Sequence, residues 1–284
     1  MSFYTSLSGL KAAQADLSVI SNNVANVNST AFKKSRAVFG DIFASAPLQT
    51  TSQVAGQGTR ISGIQQQFKQ GTVETTDKTL DMMITGEAFF TVRTPPPTAQ
   101  VSYTRNGAFQ LDENRNVIDT TGARLQIMPV DPTSGVVTST APTDMTDLVI
   151  PQSYVVPAGL PNAGTVVQLS SVAVNEKGLV SATFADGTTQ KLGNIALAAF
   201  PSQEGLRQKG DAHWQATLNS GDPIYGEGNA GIFGTIRSGA LERSNVDLTE
   251  ELVALIAAQQ NFQANAKTIE TQSTVASSII NMRT

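Results

Sequence analysis

The first stretch of the chain, over residues 2–27, reads SFYTSLSGLKAAQADLSVISNNVANV. Apolar or small residues recur in it at alternating steps of three and four, the spacing of one helix face and close to a coiled-coil heptad. The stretch therefore predicts a long N-terminal helix with one continuous stripe. The stripe consists of Phe3, Ser6, Leu10, Ala13, Leu17, Ile20, Val24 and Val27.

The last part of the chain repeats this pattern. Asp247 can cap a helix and Glu250 follows three residues later, as in a capping box, so the sequence predicts a helix start here. Beyond Gly239 there is neither glycine nor proline, and a helix can continue without interruption. One face of this helix carries Leu252, Leu255, Phe262, Ala266, Ile269, Ala276 and Ile280.

The other faces of both helices almost lack charge. Residues 1–31 contain only Lys11 and Asp16 as charged side chains, and residues 252–282 contain only Lys267 and Glu270. A solvated helix normally carries charged residues on its outer face, so we expect these surfaces to be buried between subunits. An ordinary two-helix addition to a β-domain is the alternative. The predicted subunit-interface residues are Leu10, Leu17, Ile20, Val24, Val27, Leu252, Leu255, Phe262, Ile269 and Ile280.

The middle of the chain favours β-structure. All 12 prolines lie between Pro47 and Pro223, and turn signals at 106–107, 176–178 and 186–187 separate short β-rich runs. The Asn106-Gly107 turn, flanked by Tyr103 and Phe109, predicts a β-hairpin over 101–111. The predicted fold class is α+β, with a mostly antiparallel β central domain and terminal helices that pair like a coiled coil. The predicted domains are 1–30 with 247–284 as a helical domain, 31–71 as a linker or arm, and 72–246 as a β-rich domain. Within 31–71 we expect residues 32–43 to continue as an irregular helix or an arm, and residues 49–63 to form an extended linker.

Composition excludes several classes of protein. The 284 residues contain no cysteine and one histidine, so disulfide scaffolds, thiolate metal sites and multi-histidine metal sites are excluded. The net charge of −4 argues against a nucleic-acid partner. No apolar run is long enough to span a bilayer, and the N-terminus lacks the pattern of a cleavable signal peptide.

The candidate catalytic residues are few and weakly supported. His213 has no Gly-x-Ser-x-Gly elbow to accompany it, so a surface or core histidine is the better interpretation. The Gly-x-Gly fragments at 56–58 and 226–228 lack the context of a phosphate-binding loop. The acidic groups at 112–113 and 144–147 are too small for a calcium loop. We therefore predict no enzymatic activity, no cofactor and no metal, although two distant carboxylates of a glycosidase stay possible at this point.

The two ends of the chain resemble one family, the bacterial flagellar rod and hook proteins. The resemblance is carried by SNNVANVNSTAFK over 21–33, ERSNVDLTEEL over 242–252 and AQQNFQANAKTI over 258–269. Shorter matches at 86–90, 103–107 and 220–223 extend it to the β-rich part. Within the family, MSFYTSLSGL over 1–10 and SGALERSNVDL over 238–248 are similar to hook members, with distal rod members as the alternative. Hook members usually insert an outer β-domain near residues 162–169, which is absent or nearly absent here.

The resemblance implies a helical homopolymer. The terminal helices would form an inner tube around an export channel, residues 29–71 an arm that bridges subunits, and the β-domain an outer layer. The implied function is a flexible joint that transmits motor torque to the filament. The implied partners are other copies of the chain, rod and hook–filament junction proteins, the hook cap and the flagellar type III export apparatus. The implied location is the extracellular hook or the basal body, reached without a cleaved signal, with no nucleic acid bound and no membrane insertion. An unrelated secreted β-domain enzyme or carbohydrate binder is the remaining alternative.

Overall fold

The computed structural model describes residues 2–42, 56–156 and 164–282. The chain divides into two compact units, each built from segments that are distant in sequence. The helical unit combines Met1–Asn28, Lys33–Gln67 and Asn245–Thr284. The β unit combines Ser29–Phe32 and Phe68–Ser244. The predicted α+β class is confirmed at the level of mostly antiparallel sheets with one helix at each end.

The helical unit contains two helices and one β-hairpin. Helix α1 spans Ser2–Ala25, and helix α2 spans Leu248–Asn281. Asp247 is the N-cap of α2, and its carboxylate accepts hydrogen bonds from the backbone N–H groups of Thr249 and Glu250, which confirms the predicted helix start. Neither helix, over its described residues, contains a stretch apolar enough to cross a bilayer.

The hairpin was not expected from the sequence. Strand β1, Ser35–Asp41, pairs antiparallel with strand β2, Thr59–Gln66, so the irregular helix expected over 32–43 is wrong for its described part. Strand β2 also takes in the end of the extended linker expected over 49–63. Both strands mix polar and apolar residues without strict alternation, and most of their side chains are exposed or half-buried, so the pattern that normally marks a strand is absent. Residues 43–55, which hold part of the expected linker, lie outside the described residues.

The β unit contains the other strands, and every pairing between them is antiparallel. Two short pairs, β3–β20 and β4–β19, stand apart from one large sheet whose main path is β11-β12-β13-β14-β9-β5-β6-β17-β16. The strands are β3 Val73–Thr75, β4 Met82–Thr85, β5 Phe89–Arg93, β6 Val101–Thr104, β7 Gln110–Leu111, β8 Val117–Ile118, β9 Arg124–Met128, β10 Thr146–Asp147, β11 Ser153–Val155, β12 Val166–Val174, β13 Leu179–Phe184, β14 Thr189–Ile195, β15 Leu197–Ala199, β16 Arg207–Gly210, β17 His213–Gln215, β18 Ile224–Gly226, β19 Thr235–Ser238 and β20 Ala240–Glu242.

Two of the three predicted hairpin turns are confirmed. The turn at 176–178 joins β12 to β13, and the turn at 186–187 joins β13 to β14. The hairpin predicted at Asn106-Gly107 is wrong, because β6 pairs with β5 and β17 instead of with the strand that follows it. A Cβ at Gly107 would overlap the carbonyl oxygen of Met82, whose N–H donates to the carbonyl of Gly107 at 3.0 Å. The glycine therefore permits a close backbone approach rather than a tight turn.

The hydrophobic core lies inside the β unit. Its largest cluster includes Phe90 and Leu125, both fully buried. A second cluster joins Phe89 to Trp214, with their ring centroids 5.6 Å apart in edge-to-face geometry. In the described part of the helical unit, most of the buried apolar residues are small. They are Ala12, Ala13, Val19, Ile20, Ala37, Val246 and Ala258.

Candidate assembly interface

Helices α1 and α2 contact each other in antiparallel orientation. Near one end of the pair, Asn23 Nδ2 donates to Glu251 Oε2 at 3.0 Å. Near the other end, a Cβ placed on Gly9 would lie 2.7 Å from Asn265 Oδ1, so the absence of a side chain lets the helices approach there. Small residues at the contact bring the helices close but remove little apolar surface from water.

The predicted interface residues lie in three kinds of environment. Ile20 is buried within the chain, and Val27 lies just beyond the end of α1. Helix α1 contacts both α2 and the β1–β2 hairpin, so it buries two adjoining faces rather than the single predicted stripe. The half-buried residues are Leu10, Leu17, Val24, Val27, Leu255, Phe262 and Ile269, and the exposed ones are Leu252 and Ile280.

The outer face of α2 presents apolar side chains to solvent near its start. Leu252 is 44% exposed, Val253 is 64% exposed and Ile256 is 55% exposed. Residues 252–266 contain no charged side chain. Contiguous exposed apolar surface without charge is typical of a protein–protein contact. We call Leu252, Val253 and Ile256 the outer patch.

The end of α2 extends past α1. Because Asn23 contacts Glu251 and Gly9 approaches Asn265, the start of α1 at Ser2 lies level with Gln272 of the antiparallel α2. Residues 273–282 are all exposed, and they contain no charged side chain. The large apolar residues of this overhang are Val275, Ile279, Ile280 and Met282.

A buried polar cluster joins the helix pair to the hairpin. The side chain of Glu251 is 3% exposed and pairs with Lys34 Nζ at 2.7 Å. Lys34 also pairs with Glu250 at 3.3 Å, and Asn23 exchanges two hydrogen bonds with the backbone of Ser35. We call Asn23, Lys34, Ser35 and Glu251 the polar cluster. It fixes the root of the hairpin against both helices.

The electrostatics of the polar cluster agree with its geometry. Burial lowers the pKa of Lys34, but its hydrogen bonds to Glu251 and Glu250 outweigh that effect and raise the pKa overall. Burial and the negative charge of Glu251 raise the pKa of Asp16 on the neighbouring helix. The buried carboxylate of Glu251 is therefore compensated by a charged partner and by an amide donor.

In the β unit, His213 is held in a structural role. Its Nε2 lies 2.6 Å from Asp119 Oδ2, and its Nδ1 lies 2.8 Å from the carbonyl oxygen of Asp211. Both acceptors require a proton on the ring nitrogen, so the geometry selects the imidazolium form. Burial opposes this charge, but the contact with Asp119 raises the pKa of His213 overall. Neither ring nitrogen is left to act as a general base, in keeping with the interpretation of His213 as a core residue.

The acidic candidates also form structural contacts. Asp147 pairs with Arg93 at 2.6 Å and with Arg124 at 2.9 Å. Burial raises the pKa of its carboxyl, but hydrogen bonds from Gln126, Arg124 and Arg93 outweigh that effect and lower the pKa overall. Asp112 Oδ1 accepts from the N–H of Glu113. No group of three metal-ligating acidic or histidine side chains converges among the described residues.

Sequence reasoning missed the polar cluster and a second buried pair, Arg105 with Glu242. The members of each pair are far apart along the chain, and nothing in the composition links them. The one signal was that Asn23, Glu251, Arg105 and Glu242 lie inside stretches that resemble the flagellar family, where polar residues interrupt apolar patterns.

Three family profiles match the chain. "Flagella basal body rod protein" matches residues 3–33, "Flagellar hook protein FlgE/F/G D1 domain" matches residues 83–182, and "Flagellar basal body rod FlgEFG protein C-terminal" matches residues 237–282. They cover α1, much of the β unit and α2, the same regions that carry the resemblance in the sequence.

Individual relatives extend the match to the whole chain. The flagellar basal-body rod protein FlgG of Bacillus subtilis (strain 168) is 32% identical over 301 positions, which cover 99% of this chain and 98% of that protein. FlgG of Borreliella burgdorferi is 30% identical over 94% of this chain and 93% of that protein. The flagellar hook protein FlgE of Escherichia coli (strain K12) is 29% identical over 411 positions, with both chains covered completely.

The lengths of these alignments differ in an informative way. This chain has 284 residues, so an alignment of 411 positions means that at least 411 − 284 = 127 residues of the hook protein have no counterpart here, as one long segment or several shorter ones. The rod alignment needs no such segment. Family profiles match both ends and the middle of the chain, and the rod protein of Bacillus subtilis matches it over nearly the full length of both proteins. The chain therefore belongs to the family of flagellar hook and basal-body rod proteins.

Proposed function

We propose that the chain is the structural subunit of the flagellar hook. In this proposal it polymerises into a tubular, flexible joint that transmits motor torque to the filament and surrounds the export channel. Membership of the hook and rod family makes it a structural flagellar subunit. The preference for the hook is supported by the complete alignment with a hook protein and by the similarity of residues 1–10 and 238–248 to hook members.

The outer patch is the observation that supports self-assembly. The helical unit buries mainly small apolar side chains and leaves Leu252, Val253 and Ile256 exposed at the start of a stretch, residues 252–266, that has no charged side chain. Covering each such side chain contributes about 1.5–3 kcal/mol when burial is complete. We infer that other copies of the chain cover this surface and the overhang of α2.

The helical unit supports a more detailed proposal for the interface. We propose that α1 and α2 pair in a coiled-coil-like manner and form the axial domain, with residues 31–71 as the arm and residues 72–246 as the β-rich domain. Leu252 and Ile280 are already exposed for contact with a neighbour, and the half-buried seam residues can complete their burial there. Ile20 contributes by holding α1 in place, since it is buried within the chain.

A distal rod subunit is the second candidate function. It is supported by the rod relative from Bacillus subtilis, which matches this chain over 301 positions without a long unmatched segment. A rod subunit uses the same kind of axial contact but forms a straight and rigid tube. The two candidates therefore differ in the curvature of the polymer rather than in the chemistry of the chain.

The proposed partners follow from assembly in the flagellum. They are other copies of the chain, rod and hook–filament junction proteins, the hook cap during assembly and the type III export apparatus. We propose export without a cleaved signal and no catalytic activity, because the relatives are named as structural parts of the flagellum.

Electron microscopy of the polymerised full chain tests the proposal. Curved or bendable tubes with a central channel are expected for a hook subunit, and straight rigid tubes would favour the rod. Val253→Asp places a charge in the outer patch and should abolish tubes. Val136→Asp in the β unit is the matched control, because both valines are 64% exposed. Tubes formed normally by Val253→Asp would contradict the assignment of the outer patch to the interface.

A further inference from the structure

Three segments of the β unit are directly continuous with the helical unit. They are residues 29–32, residues 68–72 and residues 242–244. Helix α1, helix α2 and both ends of residues 33–67 are connected to the β unit through these segments. The contacts that hold these segments in the β unit decide whether they open separately or together.

Glu242 contacts the other two segments at once. Its carbonyl oxygen accepts from the N–H of Ala31 at 2.8 Å, and its Oε1 accepts from the N–H of Gly71 at 2.9 Å. The next residue, Arg243, donates its N–H to the carbonyl of Thr72 at 2.9 Å. One residue thus binds one segment through its main chain and the second through its side chain.

This carboxylate is deeply buried. Glu242 is 1% exposed, and its counter-charge, Arg105, is 2% exposed. Arg105 Nη1 lies 3.8 Å from Glu242 Oε2, and the guanidinium carbon lies 4.8 Å from the centroid of the Phe89 ring. Burial lowers the pKa of Arg105, while the carboxylates of Glu242 and Glu87 oppose that effect. Removing one member of a buried charge pair leaves the other uncompensated, so the contact is sensitive to substitution.

We propose that Glu242 is a clasp that makes these three segments open as one cooperative unit. Loss of its side chain removes the bond to Gly71 directly and leaves Arg105 buried without its counter-charge. The local structure around Glu242 then loosens, and the main-chain bond to Ala31 loosens with it. If the chain bears torque as proposed above, the clasp distributes a mechanical load applied to one segment over all three segments. This mechanical consequence is the only part of the inference that rests on the proposed function.

Hydrogen exchange in the unpolymerised full chain tests the clasp without assembly. In Glu242→Ala we expect the amides of Gly71, Ala31 and Arg243 to exchange at least about tenfold faster, by a common factor, because a hydrogen bond to a charged group is lost. The amide of Ala31 is decisive, since its acceptor is a backbone carbonyl that the substitution leaves in place. Faster exchange at Gly71 alone would overturn the proposal.

Glu74→Ala is the matched control. Glu74 lies on β3, its carboxylate contacts Arg243 at 3.6 Å, and both side chains are about half exposed, so its loss should leave the three amides unchanged. Should Glu242→Ala not fold, Glu242→Gln removes only the charge and keeps an acceptor for Gly71. It should raise the exchange of all three amides by a smaller common factor, and unchanged exchange at all three would equally overturn the proposal.

Discussion

The β unit encloses Phe90 and Leu125 completely, whereas the helical unit buries alanines between its helices and leaves Val253 and Ile256 in solvent. The β unit can therefore obtain its stability from its own core. The helical unit relies on short-range packing and a buried polar cluster, and in the proposed assembly it gains further stability from surface that another copy covers. The comparison shows how one chain can combine a domain stabilised by its own core with a domain that, in the proposed assembly, is stabilised further by neighbouring copies.

The largest effect is expected from a matched pair of phenylalanine substitutions. Phe90→Ala opens a cavity in the core of the β unit and should cost about 3–5 kcal/mol of unfolding free energy. Phe262→Ala, on the half-buried seam of α2, should change the stability of the free chain much less and should reduce tube formation instead. Urea unfolding and sedimentation of tubes measure the two effects. Equal losses of monomer stability would remove the distinction between the units.

The polar cluster offers a smaller and sharper test. Glu251→Gln removes a buried charge paired with Lys34 and should cost about 1.5–3 kcal/mol locally, seen as faster exchange of the Ser35 amide. Glu270→Gln is the control on the same helix, because the Glu270–Lys267 pair is largely exposed and should contribute less than about 1 kcal/mol. If both variants behave alike, the polar cluster does not stabilise the helical unit.

The smallest effect concerns pH and the β unit. The pKa of His213 is raised in the folded chain, so its ion pair stabilises fully below the unfolded pKa of about 6.5 and is lost as pH rises through the folded value. Burial raises the pKa of Asp119, but the hydrogen bond from His213 helps to outweigh that effect and the pKa is lowered overall. The stability that the ionised Asp119 contributes is therefore lost as pH falls through the lowered value. We expect the unfolding free energy to fall as pH rises above about 6.5.

The chain contains a single histidine, so its titration by NMR is unambiguous. Its pKa should lie above about 6.5. In His213→Gln the unfolding free energy should change less as pH rises above that value. A pKa at or below that value would show that the pair does not hold the charged form.

The parts predictable from sequence are those with local signals. The stripe in residues 2–27 and the cap at Asp247 predicted both helices because periodicity and capping act within a few residues. The prediction at Asn106-Gly107 was wrong because the glycine serves a contact with Met82, and that contact is absent from any local pattern. The polar cluster and the Glu242 clasp could not be predicted because their contacts join residues that are distant in sequence. Asn23 and Glu251, for example, meet only after the two ends of the chain come together.

The unequal lengths of α1 and α2 give the helical unit two dissimilar ends. At one end the polar cluster closes the helix pair, and at the other α2 continues alone past Gln272. A helix pair with two different ends is structurally polar. Head-to-tail contacts between unlike ends can repeat as an open helical filament. A polymer built on this unit inherits that polarity. Its two tips then differ chemically, and growth at one tip is not equivalent to growth at the other.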